Sequence, residues 1–197
     1  QGYSFVFFFF LSEADDRIFY RPGHGFNKAL IVLKSTWKRW KELQKIRKYD
    51  LVFVQREAYM LGTAYFEKRI ARKKPVVFDF DDSIWMQNVS AANQKLAFLK
   101  DAAKTQKIIK AATLVLAGNQ YLADYSARFN KNVVIVPTTI DTDAYVPALN
   151  EKKDNIVCIG WSGSFSTIQH FSTAIPALKR IKEKFGHTVR FKIIGDQ

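Results

Sequence analysis

Three carboxylates stand within four residues at Asp79-Phe-Asp-Asp82, directly after the apolar run Pro75-Val-Val-Phe78. Strand alternation turns Asp79 and Asp81 to one side and leaves Asp82 at the strand's mouth. Carboxylates this close repel one another, which raises at least one pKa or invites a cation. Such a group can orient or deprotonate a hydroxyl in a cleft, or Asp82-Ser83 can simply cap the turn that follows the strand. Arg56-Glu57 closes the run Leu51–Gln55. Its guanidinium can take a phosphate or carboxylate through two parallel hydrogen bonds, or pair with a neighbouring loop. Gly160-Trp-Ser-Gly-Ser164 reads as a small-residue turn from a strand into a helix. There, backbone N–H groups of Gly160, Ser162, Gly163 and Ser164 and the positive helix end suit a phosphate. Ser164 or Ser166 can equally be a plain N-cap, and Asn119 reads first as the N-cap of Gln120–Phe129. His24, His170 and His187 share no ligand spacing, so a histidine-based zinc site is not expected.

These residues need a scaffold that gathers strand ends. Strand-like runs at Tyr3–Leu11, Leu51–Gln55, Pro75–Phe80, Thr113–Ala117, Val133–Val136, Ile156–Gly160 and Val189–Ile194 alternate with helix-period segments. The helical segments are Phe26–Lys48, Leu61–Lys73, Ala91–Ala111, Gln120–Phe129 and Ser166–Phe185. The alternation predicts an α/β fold: a Rossmann-like parallel sheet with helices on both faces, its ligands beyond the carboxyl ends of the strands. The run Val133–Val136 stops at Pro137 and passes into an acidic connector, and Ala148–Asp154 is the most polar stretch. The expected division is therefore a domain over residues 1–150, lacking its first strand, and the start of a second Rossmann-like unit over 151–197. Tyr3–Leu11 reads as a buried strand; it is too short to span a bilayer, which takes about 20 apolar residues, and lacks the features of a signal peptide.

With 48% hydrophobic and 25% charged residues the chain belongs with globular proteins rather than disordered ones. The single cysteine, Cys158, lies in an apolar run, reads as core and fits a reducing compartment. Charge is uneven: residues 1–74 carry 16 Lys/Arg against 7 Asp/Glu, residues 75–150 carry 7 against 7, and residues 151–197 carry 8 against 4. The basic first part points to an anionic partner such as phospholipid or sugar phosphate. No nucleic-acid recognition motif is present, so nucleic acid is not an expected partner. In Phe26–Lys48, Leu30, Leu33, Trp37, Trp40 and Leu43 recur at helical spacing beside Lys34, Lys38, Lys41, Lys45 and Lys48. Such a helix can lie on an anionic membrane through Lys34, Trp37, Lys38 and Lys41. The stronger expectation is that its apolar stripe packs on the sheet and its lysines are solvated.

Phe78-Asp-Phe-Asp-Asp-Ser-Ile84 resembles the first motif of haloacid-dehalogenase-type phosphatases, in which the first Asp attacks phosphorus and the Asp two later is acid/base. Ile193-Ile-Gly-Asp196 resembles that family's late Gly-Asp motif. Two strand-like runs precede Asp79, however, whereas that family's nucleophile strand comes first, and Leu114–Gly118 ends in Gly where the family has Ser or Thr. Asp79-x-Asp81 is also similar to the metal-binding pair of the GT-A glycosyltransferase fold. A closer resemblance runs from about Tyr49 to Asp196. Val134-Ile-Val-Pro-Thr-Thr-Ile-Asp-Thr-Asp-Ala-Tyr-Val-Pro147 resembles the interdomain segment of glycosyltransferase family 4. Ile159-Gly-Trp-Ser-Gly-Ser-Phe-Ser-Thr167, Leu114-Val-Leu-Ala-Gly-Asn-Gln-Tyr-Leu122 and Phe78–Trp85 are similar to further parts of a bacterial subgroup.

This resemblance implies a GT-B fold with an acceptor domain followed by a donor domain. It implies retaining sugar transfer from a nucleotide-sugar co-substrate to a glycan or lipid-linked acceptor in cell-surface polysaccharide assembly, with no other cofactor and no required metal. Asp81 and Asp82 would face the acceptor as catalytic residues, with Arg56, Glu57 and Asn119 beside them. Gly160, Ser162, Gly163 and Ser164 would lie near the donor diphosphate. The implied location is the cytoplasm, peripheral on the inner face of the membrane. The alternatives are the phosphatase using Asp79 and Asp81, or a non-enzymatic sugar- or phosphate-binding module.

Overall fold

The structure is a computed structural model that describes residues 2–19, 23–86, 101–146, 155–163 and 171–195. Its contacts divide the chain into two units, Gln1–Ile140 and Asp141–Gln197. The polar stretch Ala148–Asp154 lies outside the described residues.

The first unit is a Rossmann-like α/β domain. Strands β1 (Val52–Gln55), β2 (Val76–Phe80), β3 (Leu114–Ala117) and β4 (Val133–Ile135) form a parallel sheet in the order β1-β2-β3-β4. Between them run helices α3 (Tyr65–Ala71), α4 (Lys104–Ala111) and α5 (Gln120–Ala127); α1 (Glu13–Phe19) and α2 (Gly25–Lys45) precede the sheet. Every strand is followed in sequence by a neighbour on the same side, so each crossover needs a helix, as parallel pairing demands. The core is continuous from Leu43 and Ile46 through Val54, Phe66 and Ile70 to Phe78, Phe80, Ile108, Val115 and Leu122. Phe78 and Phe80 are fully buried and stack at 5.0 Å, the two-residue alternation of β2 putting both rings on one face.

Two expectations for this unit are corrected. Tyr3–Leu11 is not a strand: it joins neither sheet, and Tyr3, Phe5, Phe7 and Phe9 are exposed. Among the described residues its backbone has no ladder partner; the segment is held instead by Phe8 edge-on to Tyr49 at 5.7 Å and Phe10 edge-on to Tyr59 at 5.0 Å. Helix α2 also faces the other way. Of the expected apolar stripe only Leu43 is buried, while Leu30, Leu33, Trp37 and Trp40 are exposed. The inward face is Lys28, Ile31, Ser35, Arg39, Glu42 and Leu43.

That polar inward face is accommodated by a buried charge cluster. Arg39 lies 2.8 Å from Glu42, and burial pushes its guanidinium below its ordinary pKa, opposed by Glu42 and by Glu67 of α3. Glu67 accepts from the Ala58 N–H at 3.0 Å and lies 3.9 Å from the Lys104 ammonium, which also approaches Glu57 at 3.6 Å and donates to the Tyr59 carbonyl. Alternating signs allow these groups to be buried together.

In the second unit β5 (Val157–Gly163) and β6 (Val189–Gly195) pair in parallel across helix α6 (Ile175–Phe185). Pro176 lies in the first turn of α6, and Gly186 ends the helix at φ 53, a value glycine accepts freely. Two further expectations fail here. The segment Gly160–Gly163 is not a turn but strand, in register to the pair Gly163↔Gly195. A Cβ at Gly195 would lie 3.1 Å from the Gly163 carbonyl oxygen, so the absence of a side chain there serves close approach of the strands. Cys158 is exposed rather than core, because a two-stranded sheet with one helix covers little of β5. Ser164, Ser166, His170 and Asp196 lie outside the described residues. Among the described residues no helix is long and apolar enough to cross a membrane.

Removing one partner of the buried cluster leaves an uncompensated charge. Lys104→Met is expected to destabilise the first unit by about 3 kcal/mol. Glu67→Gln, which keeps an acceptor for Ala58, should cost less. Urea unfolding followed by circular dichroism checks the order.

Candidate functional site

The carboxyl ends of β1 and β2 open into a cleft of about 680 Å³, lined by Gln55, Arg56, Glu57, Asp82, Trp85 and Lys104 among others. Parallel register sets this up: Gln55 pairs with Asp79, so the residues after each strand emerge side by side. The Arg56 N–H donates to the Asp79 carbonyl at 2.8 Å, one step past the last paired residue. The Glu57 N–H then turns back to the Gln55 carbonyl at 2.8 Å, the one-residue closure of a γ-turn. Arg56 at its centre has φ 62, a left-handed backbone that costs a non-glycine residue about 1 kcal/mol or more.

The turn carries the Arg56 guanidinium to 3.3 Å from the Asp82 carboxylate, with both side chains more than half exposed. An exposed pair contributes little stability. Its effect is positional: it sets a cation and an anion facing one another at the cleft mouth. Glu57 is held from below by Lys104, whose side chain is 4% exposed. Trp85 forms another wall, its ring stacked on Tyr125 at 3.8 Å and nearly parallel, and on Tyr121 at 5.9 Å.

The carboxylates at the end of β2, Asp79 within it and Asp81 and Asp82 just past it, separate. Burial raises the Asp79 carboxyl above its ordinary pKa, and the charge of Asp81 raises it further. Asp82 departs toward Arg56 and lines the cleft; Asp81 is exposed at the strand end and is not among the lining residues. The end of β3 presses against Asp81, since a Cβ on Gly118 would lie 3.0 Å from the Asp81 Cα. Asn119 caps α5, its side-chain oxygen accepting from the Leu122 N–H at 3.0 Å, and it does not line the cleft. Thus Arg56, Glu57 and Asp82 come together, whereas Asp81 and Asn119 stand apart from them.

Gly160, Ser162 and Gly163 belong to β5 in the other unit, and Ser164 lies outside the described residues. Among the described residues no three His, Cys, Asp or Glu side chains group to hold a metal ion. Sequence reasoning missed two contributors. Lys104 sits in a helix-period segment where a lysine reads as solvated, and only its apolar flank Ile108-Ile109 hints at burial. Trp85 carried a usable signal: an aromatic three residues past Asp82, within reach of the same strand end. A guanidinium, two carboxylates and an aromatic wall can bind a group that offers hydroxyls together with an anion.

Two outcomes follow from the β2 end. Because the folded chain raises the Asp79 pKa, ionisation is less favourable there than in the unfolded chain, and stability falls as pH rises through the carboxyl range. Asp79→Asn should therefore be the more stable chain at neutral pH, with the difference shrinking below about pH 4; thermal melts across pH check it. Gly118→Ala should lower stability by about 1–3 kcal/mol through overpacking against the Asp81 backbone, read from denaturant midpoints.

No protein-family model matches this chain, and comparison with curated proteins finds no match.

Proposed function

We propose that the chain carries the acceptor-side domain of a two-domain glycosyltransferase that moves sugar from a nucleotide-sugar to a glycan or lipid-linked acceptor. The observation that carries this reading is the facing of Arg56 and Asp82, with Glu57 beside them, at the strand-end cleft of the Rossmann-like unit. In this reading Asp82 accepts a hydrogen bond from the acceptor hydroxyl and draws off its proton as that oxygen bonds the sugar's anomeric carbon; the bond from this carbon to the donor phosphate breaks and the nucleoside diphosphate leaves. Arg56 orients Asp82 and offers its remaining donors to an acceptor phosphate or carboxylate. Glu57, fixed by Lys104, holds a second hydroxyl. Asp81 acts through the position of the β2 end, and the donor belongs to the carboxyl end of β5. The sequential occurrence of two parallel βαβ-type units along the chain supports the same reading.

The phosphatase reading draws less support. A phosphoryl nucleophile works as an ionised, accessible carboxylate, whereas the environment of Asp79 disfavours ionisation and Asp79 does not line the cleft. A binding module without transfer would use the same cleft.

Titration of the chain with mono- and oligosaccharides, followed residue by residue by NMR, tests the proposal. Shifts should centre on Arg56, Glu57, Asp82 and Trp85, and Asp82→Ala should weaken binding by about 10-fold or more, the loss of a hydrogen bond to a charged group. Absence of saccharide binding, together with magnesium-dependent phosphomonoester hydrolysis that Asp79→Asn abolishes, would overturn it.

A further inference from the structure

Helix α2 buries its polar side and exposes its apolar one. Phe26, Leu30, Leu33, Trp37 and Trp40 follow one another at spacings of four and three, which places them within an arc of about 80° on the helix. All five are exposed, Phe26 by 77%, Leu33 by 66% and Trp37 by 62%. The buried residues Lys28, Ser35, Arg39 and Glu42 lie on the opposite side. About a quarter-turn from the apolar stripe run Lys34, Lys38, Lys41 and Lys45, again at spacings of four and three. Arg47 and Lys48 continue the positive charge past the helix end, both exposed.

The surroundings extend this surface. Lys38 donates to the Phe9 carbonyl at 2.8 Å, tying the exposed aromatic segment of Tyr3, Phe5, Phe7 and Phe9 to α2. The Lys41 ammonium sits 3.3 Å over the Trp37 ring, so a cation and an interfacial aromatic share one exposed position. Acidic residues on the neighbouring α1 are Glu13, Asp15 and Asp16. Asp15 takes Lys34 at 3.0 Å and Glu13 takes Arg17 at 2.6 Å, which leaves Lys38, Lys41, Lys45, Arg47 and Lys48 as the positive surface.

We infer that this face of α2, with the adjoining aromatic segment, docks on the surface of an anionic lipid bilayer. The apolar stripe enters the headgroup boundary with Trp37 at headgroup depth, while Trp40, half exposed, anchors the end of the stripe against Tyr65 and Phe66 of α3, and the lysines meet lipid phosphates. Charge decides against the other occupant that such spacing suits, a second copy of the helix. A self-paired seam needs opposite charges across its flanks. Antiparallel pairing would bring two lysine stripes together, and parallel pairing would set each stripe against the uncharged flank of Ala29, Val32 and Thr36. The inference goes beyond the sugar-transfer proposal and does not depend on it.

Co-sedimentation of the chain with vesicles of phosphatidylcholine alone, and of phosphatidylcholine with phosphatidylglycerol, provides the test. Binding should require phosphatidylglycerol and weaken with salt, since the Debye length shortens from about 10 Å at 0.1 M to about 3 Å at 1 M. Changing Lys38, Lys41 and Lys45 to Glu should reduce partitioning on the order of 100-fold, at the usual contribution of a basic residue near such a surface. Trp37→Ala should reduce it roughly 10-fold, as loss of one buried apolar side chain implies, with the melting temperature unchanged. Should Trp37→Ala melt early, Leu33→Ser serves in its place. Equal binding to both vesicle types, no binding, or binding unaffected by charge reversal overturns the inference. So does a concentration-dependent dimer that Leu33→Ser dissociates in a chain that ignores vesicles.

Discussion

The buried ammonium of Lys104 organises the first unit. Lys104 stands on α4, yet its contacts are the Glu67 carboxylate of α3, Glu57 at the end of β1, and the Tyr59 carbonyl in the loop between them. Burying a cation is tolerable only when the surrounding anions are already in place. The loop from Arg56 to Ala64 is thereby fixed to two helices at once, with Glu67 also holding the Ala58 N–H. The cleft floor and the γ-turn that carries Arg56 depend on that arrangement. The charge of the same Glu67 also raises the pKa of the Arg39 guanidinium against the effect of burial, which links the polar side of α2 electrostatically to this cluster.

This explains why α2 departs from the usual amphipathic rule. A helix covering a sheet normally turns its apolar side inward. Here the inward side carries Arg39 paired with Glu42, within the field of Glu67, and Leu43 and Ile31 make the apolar contacts. The tryptophans and leucines are then displaced outward as a consequence of what lies inside.

Much of the fold was legible because short apolar runs such as Val76–Phe80 and Leu114–Ala117 alternate with longer helix-period segments, the pattern of a buried parallel sheet. The gathering of Arg56, Glu57 and Asp82 was legible too, since residues that follow parallel strands emerge at one rim. Illegible features shared a cause: each depended on a partner distant in sequence. Periodicity locates the two sides of α2 but cannot say which is inside, because that choice rests on what α2 packs against. Tyr3–Leu11 has the composition of a strand, yet composition does not tell that it stays off the sheet and is held by ring contacts to Tyr49 and Tyr59. In Gly160–Gly163 small residues suggest a turn, and only the register with β6 reveals the strand. Lys104 looks like any surface lysine until Glu57 and Glu67 are brought to it.

The order of the sheet has a consequence for how the protein is made. Each strand of β1-β2-β3-β4 pairs with the one synthesised immediately before it, separated by one crossover. No strand has to wait for a distant partner, so the loop-closure entropy of each addition stays small. As the chain leaves the ribosome, β2 can dock on β1 once α3 has emerged, and β3 on β2 once α4 has. The growing edge is always the newest strand, and the chain itself supplies what covers it. Only when α4 arrives does Lys104 reach Glu57 and Glu67, so the cleft is completed midway through assembly of the sheet, before β4 exists.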